Sequence, residues 1–208
     1  MDADGFAART GVSRETVERL EIYAAQLRRW NRAINLVAPK TLDTIWSRHF
    51  LDSWQLLEIA GGAGGAGGRW YDLGSGGGFP GLVLAACGLK GVTLIESDRR
   101  KATFLRETAR AMEVAAAIHA ERIEDLDLPP ADTITARALA PLPKLIDLSA
   151  HLRGPHTRCL FLKGQDVESE LTAATKYWKF TFSRHRSLSD KRGTVLVMEE
   201  LTRRDDPA

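Results

Sequence analysis

One stretch constrains this chain more than any other: Asp72-Leu73-Gly74-Ser75-Gly76-Gly77-Gly78-Phe79-Pro80-Gly81. Arg69-Trp70-Tyr71 precedes it, and Leu82-Val83-Leu84-Ala85-Ala86-Cys87 follows. The pattern predicts a strand, a glycine turn and a helix. Glycine lets the backbone take positive φ and lets a ligand approach the main chain. The helix then directs unpaired N–H groups at whatever occupies the turn. Such a chain is expected to be α/β, with a nucleotide-like guest beside its first strand.

The downstream pattern agrees. Strands are expected near 69–73, 92–96, 115–119, 133–136 and 159–162, with helices from about 79, then over 98–112, 141–152 and 166–174. Two last strands, near 177–187 and 194–201, are joined by Asp190-Lys191-Arg192-Gly193. Alternating strands and helices predict a mainly parallel sheet covered on both faces. The closing pair predicts an antiparallel edge hairpin.

Upstream, residues 1–12 read as frayed. Ser13 is a candidate N-cap, and Val17, Leu20, Ala24, Leu27, Asn31 and Ile34 follow helical spacing. That helix is expected to end near Asn35, because Pro39 disfavours helix at Ala38. A second helical piece is expected to start at Thr41-Leu42-Asp43-Thr44 and to run, with one break, through His49 to Ile59. The chain thus divides into a helical cap over 1–60, a connector GGAGGAGG over 61–68 and a main domain over 69–208.

Hydrophobic content of 44% and charged content of 27% over 208 residues suit a soluble globular protein. The apolar runs are too short to span a bilayer. Met1-Asp2-Ala3-Asp4 lacks a signal-peptide layout. Cys87 and Cys159 read as reduced core residues of a cytoplasmic protein, and no Cys/His group has zinc spacing, so no metal is expected. The net charge of +2 says little. Its distribution says more: Lys176, Lys179, Arg184, Arg186, Lys191 and Arg192 interleave with Tyr177, Trp178, Phe180 and Phe182. Arg28, Arg29, Arg32 and Lys40 form a second basic set, with Arg48 and His49 beyond. Basic residues mixed with aromatics suit a nucleic-acid backbone; a solvated strand face is the alternative.

Two ligand readings compete at the glycines. Gly76, Gly78 and Gly81 fit the dinucleotide spacing G-x-G-x-x-G, with Glu96 downstream. The other register is Asp72, Gly74, Gly76 and Gly78. An acid in front of the glycines repels a pyrophosphate but suits an ammonium group, and S-adenosylmethionine has an ammonium, a sulfonium and no phosphate. A merely tight turn is the third possibility. Glu96, at the end of the second strand, can accept both hydroxyls of a ribose, or pair with Arg99 or Arg100. Ile123 can lie on an adenine face, while Glu124 either joins that site or caps the following turn. Arg137, ending the fourth strand, can hold a ligand carboxylate, a phosphate or a base, or pair with Asp132 or Asp147. Lys163 can meet a phosphate or a local carbonyl. Arg48 and Asp52, four apart, can form a helix ion pair.

The wider pattern is specific. Trp30-Asn31-x-x-x-Asn35-Leu36, Arg48-His49-Phe50-Leu51-Asp52-Ser53, the glycine stretch with Phe79-Pro80-Gly81, Lys101-x-x-Phe104-Leu105, Arg122-Ile123-Glu124, Thr135-Ala136-Arg137-Ala138 and Leu162-Lys163-Gly164-Gln165 occur in that order. Over roughly residues 17–200 the chain resembles the glucose-inhibited-division-B family of bacterial small-subunit ribosomal RNA guanine-N7 methyltransferases; the poly-glycine connector departs from it outside the motifs. The resemblance implies a class I, Rossmann-like methyltransferase with a mainly parallel seven-stranded sheet, and S-adenosylmethionine as cofactor. It also implies a guanine N7 in the decoding-region loop of 16S rRNA, free or in the 30S subunit, as acceptor. Cofactor contacts are implied at Gly74, Phe79, Ile123, Glu124 and Arg137. A monomer without a protein partner is expected. A nicotinamide dehydrogenase and a non-catalytic RNA-binding module are the competing readings; Asp72 and the lack of a hydride-transfer His/Lys pair oppose the first, the intact glycine turn and Glu96 the second.

Overall fold

A computed structural model describes residues 1–62 and 67–204. Half of the expected connector, residues 63–66, therefore lies outside the described residues. The chain enters as α1 (Ala3–Thr10), not as a frayed end. Asp2 caps it by accepting from Gly5 N, Gly11 closes it at φ 68°, and Phe6 is fully buried against Trp46 at 5.5 Å. One buried aromatic anchors a segment whose polar composition suggested fraying.

Helix α2 (Arg14–Trp30) starts at Ser13, whose hydroxyl accepts from Thr16 N, and buries Leu20, Tyr23, Ala24 and Leu27. It stops short of Asn35. The Asn31 side-chain oxygen accepts from Leu36 N and Val37 N, while its amide donates to Val37 O. This side chain replaces helical partners and turns the chain before Pro39 acts. The second helical piece shows the expected break: a single 3-10 turn (Pro39–Thr41) and non-helical residues 42–44 precede a π-helix (Trp46–Leu51) that carries His49 and runs into α3 (Asp52–Ile59). Wide π-turns are common beside functional sites.

The main body follows as β1 (Trp70–Leu73), α4 (Gly81–Ala86), β2 (Val92–Ile95), α5 (Arg99–Ala111), β3 (Ala117–His119), β4 (Ala131–Arg137), α6 (Leu142–Ser149), β5 (Arg153–Lys163), α7 (Val167–Ala174), β6 (Trp178–Arg186) and β7 (Thr194–Arg203). The sheet order is β3-β2-β1-β4-β5-β7-β6. Pairs among β1 to β5 are parallel; β5–β7 and β6–β7 are antiparallel. The closing hairpin thus inserts β7 beside β5 and leaves β6 at the edge. This is the mainly parallel seven-stranded sheet with an antiparallel C-terminal hairpin that the resemblance implies.

Each face of the sheet carries its own apolar core. On one face Phe6, Leu20, Leu27, Phe50 and Leu56 pack with Trp70, Leu82, Leu94 and Phe104. On the other, Leu145, Ile146 and Leu171 pack with Ile134, Phe161 and Met198. The N-terminal helices therefore share a core with the sheet. Because β1 has β2 on one side and β4 on the other, the strand order reverses there and opens a crevice beyond the carboxyl ends. Among the described residues no helix is long and apolar enough to cross a membrane.

Candidate functional site

The glycine turn occupies that crevice. Gly74, Gly76 and Gly78 all take positive φ, at 62°, 55° and 89°. Gly74 and Gly76 line a cleft of about 540 Å³ with Phe79, Glu96, Ile123 and Arg137, a size suited to a nucleoside-bearing ligand. A Cβ on Gly74 would lie 2.5 Å from Leu139 Cδ1, whereas one on Gly76 would meet nothing nearer than the Gly74 carbonyl at 3.8 Å. Gly74 thus admits Leu139, and Gly76 keeps the cleft floor bare.

Gly78 and Gly81 serve packing. A Cβ on Gly78 would come 2.5 Å from the Tyr23 hydroxyl, and one on Gly81 would come 2.8 Å from Asp72 Oδ2. Neither lines the cleft: the dinucleotide register keeps only Gly76 there, and Gly78, expected as a cofactor contact in the other register, packs against Tyr23 instead. Tyr23 donates from its hydroxyl to the Gly77 carbonyl and stacks on Phe79 at 5.2 Å. Helix α2 therefore braces the turn from behind.

Asp72 also differs from expectation. It is buried and lies outside the cleft lining. Its carboxylate accepts from Gly81 N at 3.1 Å and Thr135 Oγ1 at 3.1 Å, so it ties β1 to β4 and to the start of α4 instead of meeting a ligand ammonium. Burial raises its pKa to about 6 against the pull of those hydrogen bonds.

Glu96 does face the cleft. One oxygen accepts from Gly76 N and the other from Asp98 N, both at 2.8 Å. The alternative pairing fails: Arg100 instead donates to the Ala33 carbonyl at 2.9 Å. Each Glu96 oxygen has taken one hydrogen bond and keeps capacity for another, which fits two vicinal hydroxyls. Ile123 lies in a short 3-10 turn on the same wall. Glu124 does not cap that turn; it pairs with Arg122 at 3.3 Å. Bare glycine floor, doubly anchored acid and apolar wall together fit the adenosine of S-adenosylmethionine.

A second cleft of about 480 Å³ adjoins the first, lined among others by Arg48, Asp52, Lys163, Ser187 and Asp190. Arg137, Ala138, Leu139 and Ala140 line both. The Arg137 guanidinium sits 4.6 Å from the centre of the Phe79 ring and 3.4 Å from Asp52 Oδ2, a pairing the sequence did not indicate. Asp132 and Asp147, its expected alternatives, do not hold it; Asp132 accepts from Arg69 N at 2.7 Å. Nor do Arg48 and Asp52 form a helix pair: Arg48 meets Asp190 at 3.6 Å.

Two expected RNA contacts, His49 and Lys163, take other places, whereas Arg184 and Arg186 stay at the surface. His49 is buried, stacked on Phe79 at 4.7 Å, with Nε2 2.8 Å from Thr41 Oγ1. Lys163 is part-buried between Glu170 at 2.5 Å and the Ala140 carbonyl at 3.0 Å; the local carbonyl contact holds there. Arg184 is exposed but pairs with Glu168 and lies over Phe182. Arg186 is exposed near the second cleft's β6–β7 loop. Ser187 and Ser189 had no signal in the sequence; both donate to Asp52, from 135 and 137 residues away.

Comparison with known proteins places this arrangement. Residues 16–197 match the family model described as rRNA small subunit methyltransferase G. A protein of that name from Rhodospirillum centenum is 49% identical over 97% of this chain and 92% of its own length. Another from Paramagnetospirillum magneticum is 48% identical over 98% of each. The fold is similar to magnesium protoporphyrin IX methyltransferase from Synechocystis PCC 6803, solved with bound S-adenosylmethionine, at a TM-score of 0.58 and 14% identity over 90% of this chain and 96% of that one. The extent of the family match and the near full-length identity to its named members settle the assignment: this chain belongs to the rRNA small subunit methyltransferase G family.

Proposed function

We propose that the protein transfers a methyl group from S-adenosylmethionine to N7 of a guanine in the decoding-region loop of 16S rRNA. Family membership supports the rRNA methyltransferase activity, and the resemblance in the motifs supports the N7 position. One observation carries the reading: two clefts share the wall of Arg137 to Ala140. One has the features of an adenosine site, and the other adjoins it, which supports reading it as the acceptor site.

S-adenosylmethionine supplies an electrophilic methyl group on a sulfonium. In this reading Glu96 accepts the ribose hydroxyls, Ile123 packs on the adenine, and the Gly74–Gly76 floor admits the rest of the molecule. Asp72 and Tyr23 fix the turn without touching the ligand. Arg137, standing where the clefts join, orients the acceptor or the cofactor carboxylate through its planar fork. Guanine N7 has a lone pair in the neutral base, so no proton has to leave before it attacks. The site matches that economy: burial and the neighbouring Arg137 and Arg48 lower the pKa of His49 to about 3, which keeps it neutral. Alignment then carries most of the catalysis, on the order of 7–11 kcal/mol for well-oriented reactants. Exposed Arg184 and Arg186 would hold RNA phosphates. Both clefts are lined by residues of one chain, which supports reading the protein as a monomer, and ribosomal RNA as acceptor supports a cytoplasmic site of action.

The test is transfer of labelled methyl groups to purified 30S subunits and to free 16S rRNA. Label in RNA with either acceptor supports the reading and identifies the preferred form. Label only in ribosomal protein, or none, contradicts it.

A further inference from the structure

We propose that Asp52 is a positioning residue that couples the acceptor cleft to the cofactor cleft, so that acceptor RNA and cofactor bind cooperatively. The inference rests on the function proposed above and concerns how its two sites communicate.

Asp52 stands in the first turn of α3 with its side chain only 7% exposed. Its two oxygens face different parts of the protein. Oδ1 accepts from Ser189 Oγ at 2.6 Å, Gln55 Nε2 at 3.0 Å and Ser187 Oγ at 3.2 Å. Oδ2 faces Arg137 Nη1 at 3.4 Å. The serines belong to the loop between β6 and β7, which also brings Asp190 and Gly193 to the wall of the second cleft. That loop is organised around one hydroxyl: Ser187 Oγ accepts from Ser189 N at 3.1 Å and Asp190 N at 3.2 Å. The helical segment grips it at two further points, Leu188 N to Gln55 Oε1 at 2.9 Å and Arg48 to Asp190 at 3.6 Å.

A carboxylate is a planar, rigid group, so its oxygens cannot move independently. An acceptor that presses on the 187–193 loop must turn Asp52 through Oδ1, and Oδ2 then moves relative to Arg137. Arg137 lies over Phe79, which lines the cofactor cleft. The 3.4 Å Arg137–Asp52 separation exceeds the 2.7–2.9 Å of a fully formed charge-assisted bond, which leaves room to tighten when the loop is displaced. The coupling is reciprocal: whatever factor RNA applies to cofactor affinity, cofactor applies to RNA affinity.

The experiment measures equilibrium binding of labelled S-adenosylhomocysteine, which cannot turn over, with and without saturating 30S subunits. The ratio of the two dissociation constants is the readout. For the wild-type protein a ratio of at least about 5 is expected, the lower end of ordinary allosteric coupling. Asp52→Asn cuts the Arg137 arm and Ser189→Ala the loop arm; in both the ratio falls toward one. Ser189→Thr keeps the hydroxyl and retains the wild-type ratio, and the Ser189 variants keep the test available if Asp52→Asn fails to fold. A wild-type ratio of one, or an unchanged ratio in Ser189→Ala, overturns the proposal. If the protein methylates RNA while the ratio is one, coupling fails and the proposed function stands. If no RNA is methylated, the function itself fails.

Discussion

Arg137 Nη1, at the end of β4, lies 3.4 Å from Asp52 Oδ2 in the first turn of α3. This contact joins the N-terminal helices to the functional edge of the sheet. Burial draws the Arg137 pKa down, and the Asp52 charge opposes that shift. A long, flexible cation is thereby held in one place between two clefts.

Arg137→Lys should show how far catalysis depends on that placement. An ammonium keeps the charge but loses both the planar fork and the stack on Phe79. Misplacement by about 1 Å costs on the order of 100-fold in rate, so kcat should fall by about that factor. S-adenosylhomocysteine affinity should change much less. Steady-state kinetics and equilibrium binding on the same preparation check the split.

Two buried groups give opposing pH dependences. The Thr41 hydroxyl donates to the Ala38 carbonyl at 2.7 Å, so His49 Nε2–H donates to Thr41 and Nδ1 is left bare. That Nδ1 has no partner among the described residues. With a folded pKa of about 3 against 6.5, the unfolded chain takes the proton first, and stability is lost as pH falls below 6.5. Asp72, at about 6 against 3.8, is protonated first in the folded state and adds stability as pH falls from 6 toward 4. Each slope is limited to about 1.4 kcal/mol per pH unit. In urea unfolding from pH 7 to 4.5, any destabilisation by His49→Gln should shrink on acidification, while Asp72→Asn should lose stability relative to wild type.

Tyr23→Phe removes the hydroxyl that meets the Gly77 carbonyl. A buried acceptor left without its donor costs about 1–3 kcal/mol. Unfolding should register that loss. Cofactor affinity should fall as well, because the turn loses its brace from α2.

Salt dependence separates surface arginines from a part-buried lysine. Arg184→Ala and Arg186→Ala should each lower the slope of log affinity against log salt by about one in RNA binding. Lys163→Met should leave the slope unchanged, since Lys163 is held by Glu170 and Ala140. It should instead destabilise the fold by about 1–3 kcal/mol, since the part-buried Glu170 loses one charged partner but keeps its hydrogen bond from Leu142 N. Filter binding over a salt series and urea unfolding make the comparison.

What the sequence disclosed was local. Strand, glycine turn and helix are neighbours in the chain, and so are the alternating elements that set the sheet; Gly74, Gly76 and Glu96 could be placed from their spacing. What it hid depended on direction or distance. Asp72 looked like a ligand residue because its position was right, but its side chain points between β1 and β4, where Thr135 is its register partner. His49 and Lys163 looked like surface groups until tertiary packing covered them. Asp52, Ser187 and Ser189 come together over more than a hundred residues, and no local pattern encodes such a meeting. The helix Ala3–Thr10 depends on one buried side chain, Phe6, which composition averages away.

The central claim is N7 methylation of a guanine at the junction held by Arg137. Methylated guanine N7 leaves the base open to reductive strand cleavage, so the modified position can be read directly from 16S rRNA after incubation of 30S subunits with the protein and S-adenosylmethionine. A single cleavage at a guanine in the decoding-region loop, absent without cofactor and strongly reduced with Arg137→Lys, is the predicted result. Methylation at another base or another atom, or full cleavage with Arg137→Lys, would contradict it.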